Sequence, residues 1–438
     1  MSYSKRFWTS LVLFSLIGQV AWVVENMYFN VFIYKMFAAS AADISLMVSA
    51  SSIVATLTTI FIGALSDKLG RRKIFISVGY ILWGISILGF SLIRTDTIGA
   101  IMTTASSAAA LCVTITIILD CVMTFFGSTA NDACFNAYLT DATDSSSRGK
   151  VEGINSMMPL MAILVVFGGF MGFDLEQASS WTAIFIIIGV IVIAIGILGL
   201  FIITETPKKS QINEDYLKNI LYSFRPSTIK SNLPLYATIL AFAVFGISIQ
   251  IFMPYLIIYY EVSLSLDNYV LIMAPAIIIA GIITANYGRY YDKAGFIKSI
   301  FPTLICLALG YIILILFTNT ALVFIGSLLM MTGYLTGMAV FGAMIRDNTP
   351  ENKAGALQGI RIIGQVLIPG IIGPIIGAAV LKNADTIVGN DGTVSFIPNQ
   401  NIFIAALIAL ILSAATILLI KMAMNKSNKK QTEKVNER

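Results

Sequence analysis

The chain reads as an all-α polytopic membrane protein: twelve transmembrane helices in two pseudo-symmetric six-helix bundles. Three observations predict this class. Apolar stretches of about 20 residues recur along the sequence, each long enough to cross a ~30 Å hydrocarbon core. Charged residues make up only 12% of the 438 positions and hydrophobic ones 57%; a soluble chain carries about twice that charge. Spacings in the first half return in the second, since Gly-x-x-x-Asp-Lys-x-Gly at Gly63–Gly70 is repeated at Gly288–Gly295, an offset of 225. A repeat of that length in an apolar chain means two homologous bundles. The alternating pattern of a membrane barrel is absent.

Taken in order, the apolar runs place helices near 8–36, 43–65, 74–93, 110–139, 151–173 and 181–203, then near 233–260, 269–288, 299–317, 321–345, 358–381 and 401–421. The run from Phe7 to Tyr34 is too long for a signal-peptide core and lacks a small-residue cleavage site, so it reads as a retained first span. Residues 98–110, rich in Ala, Ser and Thr, either extend the fourth helix or form an outer interfacial segment. The resulting domains are a bundle at 1–203, a connector at 204–232, a bundle at 233–421 and a tail at 422–438. The connector holds an amphipathic stretch from Ile212 to Phe224 and reads as a surface-lying tether. The polar, basic tail is expected to be disordered. A second repeat pairs Asp141, Gly149 and Gly153 with Asp347, Gly355 and Gly359, at an offset of 206.

An even helix count puts both termini on one side, and charge says which. Of the 28 Lys and Arg residues, 24 lie at the termini or in the loops of that side; Lys35, Arg94 and Lys382 lie on the other, and Arg361 is left within a span. The termini are therefore expected in the cytoplasm, with the chain in the cell membrane. The same distribution explains the net charge of +5 without nucleic acid. Cys112, Cys121, Cys134 and Cys306 all lie in apolar segments, without metal or disulfide spacing, and there is no histidine. No cofactor, metal or clustered nucleophile and base is indicated, so the chain does not read as an enzyme. No phosphate-binding G-x-x-x-x-G-K-[ST] loop is present, so work must be driven by a gradient or a partner subunit.

Between the second and third helices lies Gly63-Ala64-Leu65-Ser66-Asp67-Lys68-Leu69-Gly70-Arg71-Arg72-Lys73. Its glycines permit a tight turn and its basic residues hold it in the cytoplasm. The pattern G-x-L-x-D-x-x-G-R-R-K resembles the signature loop of the major facilitator superfamily, and Asp141 to Gly149 resembles that family's loop after helix four. The resemblance implies the major facilitator fold and transport by alternating access. It implies a gating role for Gly63, Asp67, Gly70, Arg71, Arg72 and, in the second copy, Asp292, with Asp67 and Arg71 or Arg72 bridging the end of helix two to a neighbouring helix.

Polar groups within the spans mark candidate sites, because each is expensive in lipid. Helix one carries Gln19, Trp22, Asn26 and Asn30 on one face, with Glu25 at its border. Helix four carries a stripe of Asp120, Thr124, Ser128 and Asn131, with Asp132 beyond it. Asp120 is expected near the outer interface, Asn131 and Asp132 deeper. Helix seven carries Gln250, Tyr255 and Tyr259 around Pro254, whose missing N–H frees a carbonyl. Helix eleven carries Gln358, Arg361 and Gln365 on one face. A structural Glu25, a polar helix–helix seam for helix four and a snorkelling Arg361 are the plainer alternatives.

Amides, carboxylates and aromatic faces together fit a small polar organic solute such as a sugar or glycoside. Gln19, Trp22, Asn26, Asn30, Asn131, Gln250, Tyr255, Arg361 and Gln365 are its candidate ligands. Glu25, Asp120 and Asp132 are candidates for cation coupling, Glu25 first, and Glu25 and Gln250 are expected at matching depth in the two halves. Within the superfamily the chain is similar to the glycoside–pentoside–hexuronide:cation symporters and sucrose-type carriers. Helix two departs from the melibiose-type pattern, having no acid between Asp43 and Asp67, which favours a proton over sodium. An efflux transporter for amphipathic compounds, in keeping with the 18 methionines, and a non-transporting membrane sensor are the other readings. The partners expected are the solute, a cation and the bilayer, around a monomer.

Overall fold

The computed structural model describes residues 4–99, 105–143, 145–204, 223–266, 268–349, 354–388 and 393–436. The Ile212–Phe224 stretch lies almost wholly outside them. Among the described residues, nine helices are long and apolar enough to cross a membrane, and Met157–Phe170 and Asn401–Ile417 are shorter apolar helices. The nine include the 47-residue run Val270–Leu316, which bends at Gly295 and is two spans, helices eight and nine. Twelve spans result, as the sequence predicts.

The helix boundaries have local causes. Helix one starts where the Ser4 hydroxyl accepts the Phe7 amide at 3.2 Å. Helix two, Ala41–Leu69, starts at a reciprocal cap: the Asp43 amide donates to the Ser40 hydroxyl at 3.2 Å and the Ser40 amide to the Asp43 carboxylate at 2.9 Å. It stops at Gly70, whose φ of +63° lets its amide fold back onto the Ser66 carbonyl at 2.9 Å. Gly295, 225 residues on, has φ +75°. Gly70 and Gly295 are the two glycines with positive φ among the described residues, so the repeat seen in sequence is also a repeat of backbone conformation.

Two compact units emerge. The first comprises Met1–Asn213 with Pro254–Ile258 and Asp385–Ile397; the second holds Glu214–Met253, Tyr259–Ala384 and Pro398–Arg438. Helices three (Arg72–Phe90) and six (Ala178–Ile202) of the first unit meet along small residues. A Cβ on Gly84 would lie 2.6 Å from the Gly189 carbonyl oxygen, and one on Gly196 2.7 Å from the Ile81 nitrogen. Without a hydrophobic drive between helices in lipid, such close backbone contact supplies the packing. In the second unit Gly310 of helix nine lies against Met330 of helix ten, Thr320–Asn348, in the same way.

The structure departs from the sequence reading in three places. Of the ambiguous stretch 98–110, residues from Ala105 belong to helix four, while Thr95–Gly99 form a separate short turn of helix. Residues 382–400 hold an unforeseen β-hairpin, Thr386–Val388 against Val394–Phe396; Phe396 packs edge-on to Tyr34, 5.2 Å between ring centroids, and its carbonyl accepts the Tyr34 hydroxyl at 2.6 Å. The last helix runs from Asn401 to Asn436, where disorder was expected from Asn425. Lys, Gln, Glu and Met are good helix formers, and extending an existing helix needs no new nucleus.

Candidate functional site

Helices one and four of the first unit build the site, and both contain a π turn. Helix one is regular over Lys5–Val23, opens over Val24–Tyr28, where the Phe29 amide reaches the Val24 carbonyl five residues back, and resumes over Phe29–Phe37. Helix four opens over Ser128–Phe135, the Asn136 amide reaching Asn131. One extra residue per turn shifts the phase of every side chain that follows, a device frequent at functional sites. Glu25 sits in the first π turn, Asn131 and Asp132 in the second. Neither turn contains a proline, so no residue type announced them.

The phase shift separates residues the sequence grouped together. Gln19 and Trp22 are half-buried and Asn26 is exposed, so these three share an open face of helix one. Asn30 is fully buried, its Nδ2 donating to the Asn26 carbonyl at 2.9 Å. Glu25 is also buried, in the seam with helix four, where its Oε1 accepts the Thr124 hydroxyl at 2.8 Å. Asp120, one turn before Thr124, is 1% exposed. Asp120 therefore belongs to the buried seam rather than to an exposed helix face. Asp120 and Asp132 both lie within Coulombic range of Glu25.

Among the described residues no donor reaches three buried oxygens here: Glu25 Oε2 and Asp120 Oδ1 in the seam and Asn30 Oδ1 farther along helix one. A buried acceptor without a donor costs about 1–3 kcal/mol, and more when charged. A buried carboxylate is costly unless a donor, a proton or a cation meets it. Among the described residues no three His, Cys, Asp or Glu side chains are grouped as metal ligands.

Asp132 is half-buried and leads outward from the seam. Its Oδ2 accepts the Ser128 hydroxyl at 3.1 Å and its Oδ1 the Asn131 amide at 3.4 Å. Asn131, buried, turns its Oδ1 to the Tyr80 hydroxyl, 3.1 Å away, which also lies 2.7 Å from the Phe14 carbonyl. Helix one passes this network at Gly18, where a Cβ would meet the Tyr80 hydroxyl at 2.5 Å and Asn131 Oδ1 at 2.7 Å. Trp22 and Trp83 pack beside it with their rings tilted, 5.0 Å between ring centroids. Sequence reasoning missed Tyr80, although it is the only tyrosine in helix three.

The second-half candidates fall into separate places. Gln250 is half-buried against helix eleven, its Cβ 2.5 Å from where a Cβ on Gly373 would stand. Arg361 lies in the last turn of the segment Ala354–Ile362, and its Nε donates to Gln365 Oε1 at 3.1 Å. Gln365 lies in another π turn, Ile363–Leu367. Arg361 stands two residues inside the apolar span Gly359–Leu381, near its end. Tyr255 is fully buried and its hydroxyl donates to the Ala41 carbonyl at 3.0 Å, so this expected ligand is engaged in packing within the first unit.

In the signature loop, Arg72 makes the bridge. Its Nε and Nη2 donate to Asp141 Oδ2 at 3.3 and 3.2 Å, and its Nη1 donates to the Ser66 hydroxyl. Guanidinium and carboxylate side chains are 8% and 15% exposed. Helix two's end, helix three's start and helix four's end are thus tied together. Gly63 passes helix four at Ala133, Arg71 is exposed, and the Asp67 side chain lies outside the described residues. In the second copy Asp292 is exposed and its neighbour Tyr291 bonds instead, donating to Asp347 Oδ2 at 2.6 Å. Asp347 is the counterpart of Asp141, so the second copy keeps the acid and replaces the ion pair with a hydroxyl.

Comparison with known proteins agrees with this architecture. The sequence model of the Major Facilitator Superfamily matches residues 11–374. No curated protein matched the chain. Among solved structures, a point mutant of the nucleoside transporter NupG superposes with a TM-score of 0.69 at 13% identity, over 94% of this chain and 99% of that one. A bacterial homolog of the human lysosomal transporter Spinster, inward-facing and occupied, gives 0.70 at 16%, over 97% and 99%. The xylose transporter XylE from E. coli, partially occluded and inward open, gives 0.65 at 17%, over 95% and 99%. At these identities the structures speak for the fold, and the family match for descent. The chain belongs to the major facilitator superfamily: it is a multi-pass membrane transporter and not an enzyme.

Proposed function

We propose that the chain is a secondary active transporter of a small polar organic solute, a sugar or glycoside first, driven by a coupled cation, a proton first. The two halves would expose the solute site to each side in turn. The observation that carries this reading is the buried seam of helices one and four, where two carboxyl groups each keep an oxygen without a donor. Such a seam binds a cation more readily than a sugar, which needs donors as well as acceptors. The solute is assigned instead to the open face of Gln19, Trp22 and Asn26, with Asp132 as the link to the seam. In the second half, Gln250 and the Arg361–Gln365 pair supply both donors and acceptors. Xylose and nucleoside transporters among the structural neighbours favour a hydroxyl-rich solute. The charge distribution supports cytoplasmic termini, and the cell membrane is the proposed location.

A thermal-shift screen of the purified chain against pentoses, hexoses, glycosides and nucleosides tests the substrate class. A specific solute at 100 times its Kd stabilises the folded state by about 2.7 kcal/mol, a rise in melting temperature of several degrees. Stabilisation by amphipathic cations and by none of the polar solutes would favour the efflux reading instead.

A further inference from the structure

Two pieces of the second half of the chain belong to the first compact unit, Pro254–Ile258 and Asp385–Ile397. The first is a stretch of helix seven bounded by two departures from the α-helix. Helix seven is regular over Leu233–Phe252, tightens into a 3₁₀ turn at Met253–Tyr255 and widens into a π turn at Tyr259–Ser263. Pro254 has no amide hydrogen to give the helix, and a mid-helix 3₁₀ stretch often marks a hinge. The chain changes unit at these same two places. Between them, Leu256–Ile258 packs on the π turn Val24–Tyr28, which carries Glu25. The Tyr255 hydroxyl reaches the Ala41 carbonyl at the start of helix two.

The second piece is the hairpin between helices eleven and twelve. Its base is closed by the Ile397 amide, which donates to the Asp385 carbonyl at 2.7 Å. Phe396 is where it is held. The Phe396 ring meets Tyr34 at 5.2 Å and Tyr255 at 6.2 Å between centroids, edge-on to both, at 83° and 80°. Edge-on rings attract beyond the area they bury. The Phe396 carbonyl takes the Tyr34 hydroxyl at 2.6 Å. One residue thus joins the end of helix one to the broken stretch of helix seven. The rest of the hairpin stands clear, with Ile387, Val388 and Val394 all exposed. An element held at so few points opens far more readily than the spans around it.

We propose that this hairpin is a strap on the end of helix one remote from the Gly70 turn. Seated, Phe396 holds Tyr34 and Tyr255 together and keeps that end covered. Unseated, it frees the Pro254–Ile258 stretch to leave helix one. The inference rests on the transport cycle proposed above and names a part of the chain that controls it, separate from the signature loop. Because Leu256–Ile258 lies on the turn that carries Glu25, the strap and the carboxyl act on the same turn of helix one.

The first test needs no substrate. Ala41 is 6% exposed, with Tyr255 on its carbonyl, so a cysteine placed there reports opening. The full chain with Ala41→Cys is placed in lipid nanodiscs, and its reaction with a charged maleimide is followed; the parent chain, with its own four cysteines, gives the background. Adding Phe396→Ala should speed the labelling about fivefold, since the population of the open form sets the rate. Tyr34→Phe, which removes only the hydroxyl, should give a smaller rise, and Val388→Ala, outside the clasp, none. A rate unmoved by Phe396→Ala, or raised as much by Val388→Ala, would overturn the strap. The second test joins Tyr34→Cys and Phe396→Cys by a reducible bis-maleimide. Bridging should stop exchange of labelled for unlabelled solute, and reduction should restore it. Undiminished exchange by the bridged chain would overturn the strap, whereas a parent chain that exchanges no solute would count against the transport reading and leave the labelling result to judge the strap.

Discussion

Glu25 accepts one hydrogen bond, at 2.8 Å from Thr124, on a group that can accept four. On the proposed function, the exchangeable part of the seam is the other oxygen. Replacing Thr124 by valine keeps the shape and removes the donor. The account predicts a loss of about 1–3 kcal/mol in stability, read as a lower melting temperature, together with a shift in the pH profile of uptake; an unmoved profile would make Thr124 purely structural. Gly18 gives a test free of charge effects. In an open helix Gly→Ala stabilises by up to about 1 kcal/mol. Here the new methyl would stand 2.5 Å from the Tyr80 hydroxyl, and overpacking at a filled site costs about 1–3 kcal/mol. Gly18→Ala should lower the melting temperature, whereas Gly288→Ala, with nothing within 4 Å of its Cβ, should not.

At the scale of elements, the helices were legible and their phase was not. Apolar runs of spanning length give away a membrane helix whatever it packs against, so all twelve could be placed. The face each residue occupies depends on an unbroken 3.6-residue period. The π turns at Val24–Tyr28 and Ser128–Phe135 break that period with ordinary residues. That is why Asn30, which follows the first of them, left the open face. The hairpin at 386–396 escaped notice because six strand residues between two spans make too short a pattern. The signature loop was legible through its resemblance, but which basic residue makes the bridge was not, since Arg71 and Arg72 differ only in where the turn aims them. Arg72→Gln removes the guanidinium from a largely buried carboxylate, and breaking such a pair costs about 3–5 kcal/mol. The double variant Arg72→Gln/Asp141→Asn should recover part of the loss; a purely additive double-mutant cycle in melting temperature would show that the pair is incidental. Arg71→Gln should be near neutral. Gly295→Ala, at φ 75° and ψ 173°, is predicted to cost about 1–3 kcal/mol, because that backbone region is open essentially to glycine alone.

The molecule as a whole joins an old scaffold to a particular chemistry. The repeat at offset 225 is carried by two positive-φ glycines, and the two halves have otherwise diverged. The first half holds Glu25, Asp120 and the charged latch; the second holds amides, an arginine and a hydroxyl latch. On the function proposed above, coupling would rest on the first half, with Glu25 at its centre. The most direct measurement reconstitutes the wild-type chain and Glu25→Gln in vesicles with an imposed pH gradient and a solute identified by thermal shift, and follows both net accumulation and exchange of labelled for unlabelled solute. The account predicts that the wild type concentrates solute above equilibrium, and that Glu25→Gln only equilibrates it while exchange continues. Undiminished concentration by Glu25→Gln would contradict it.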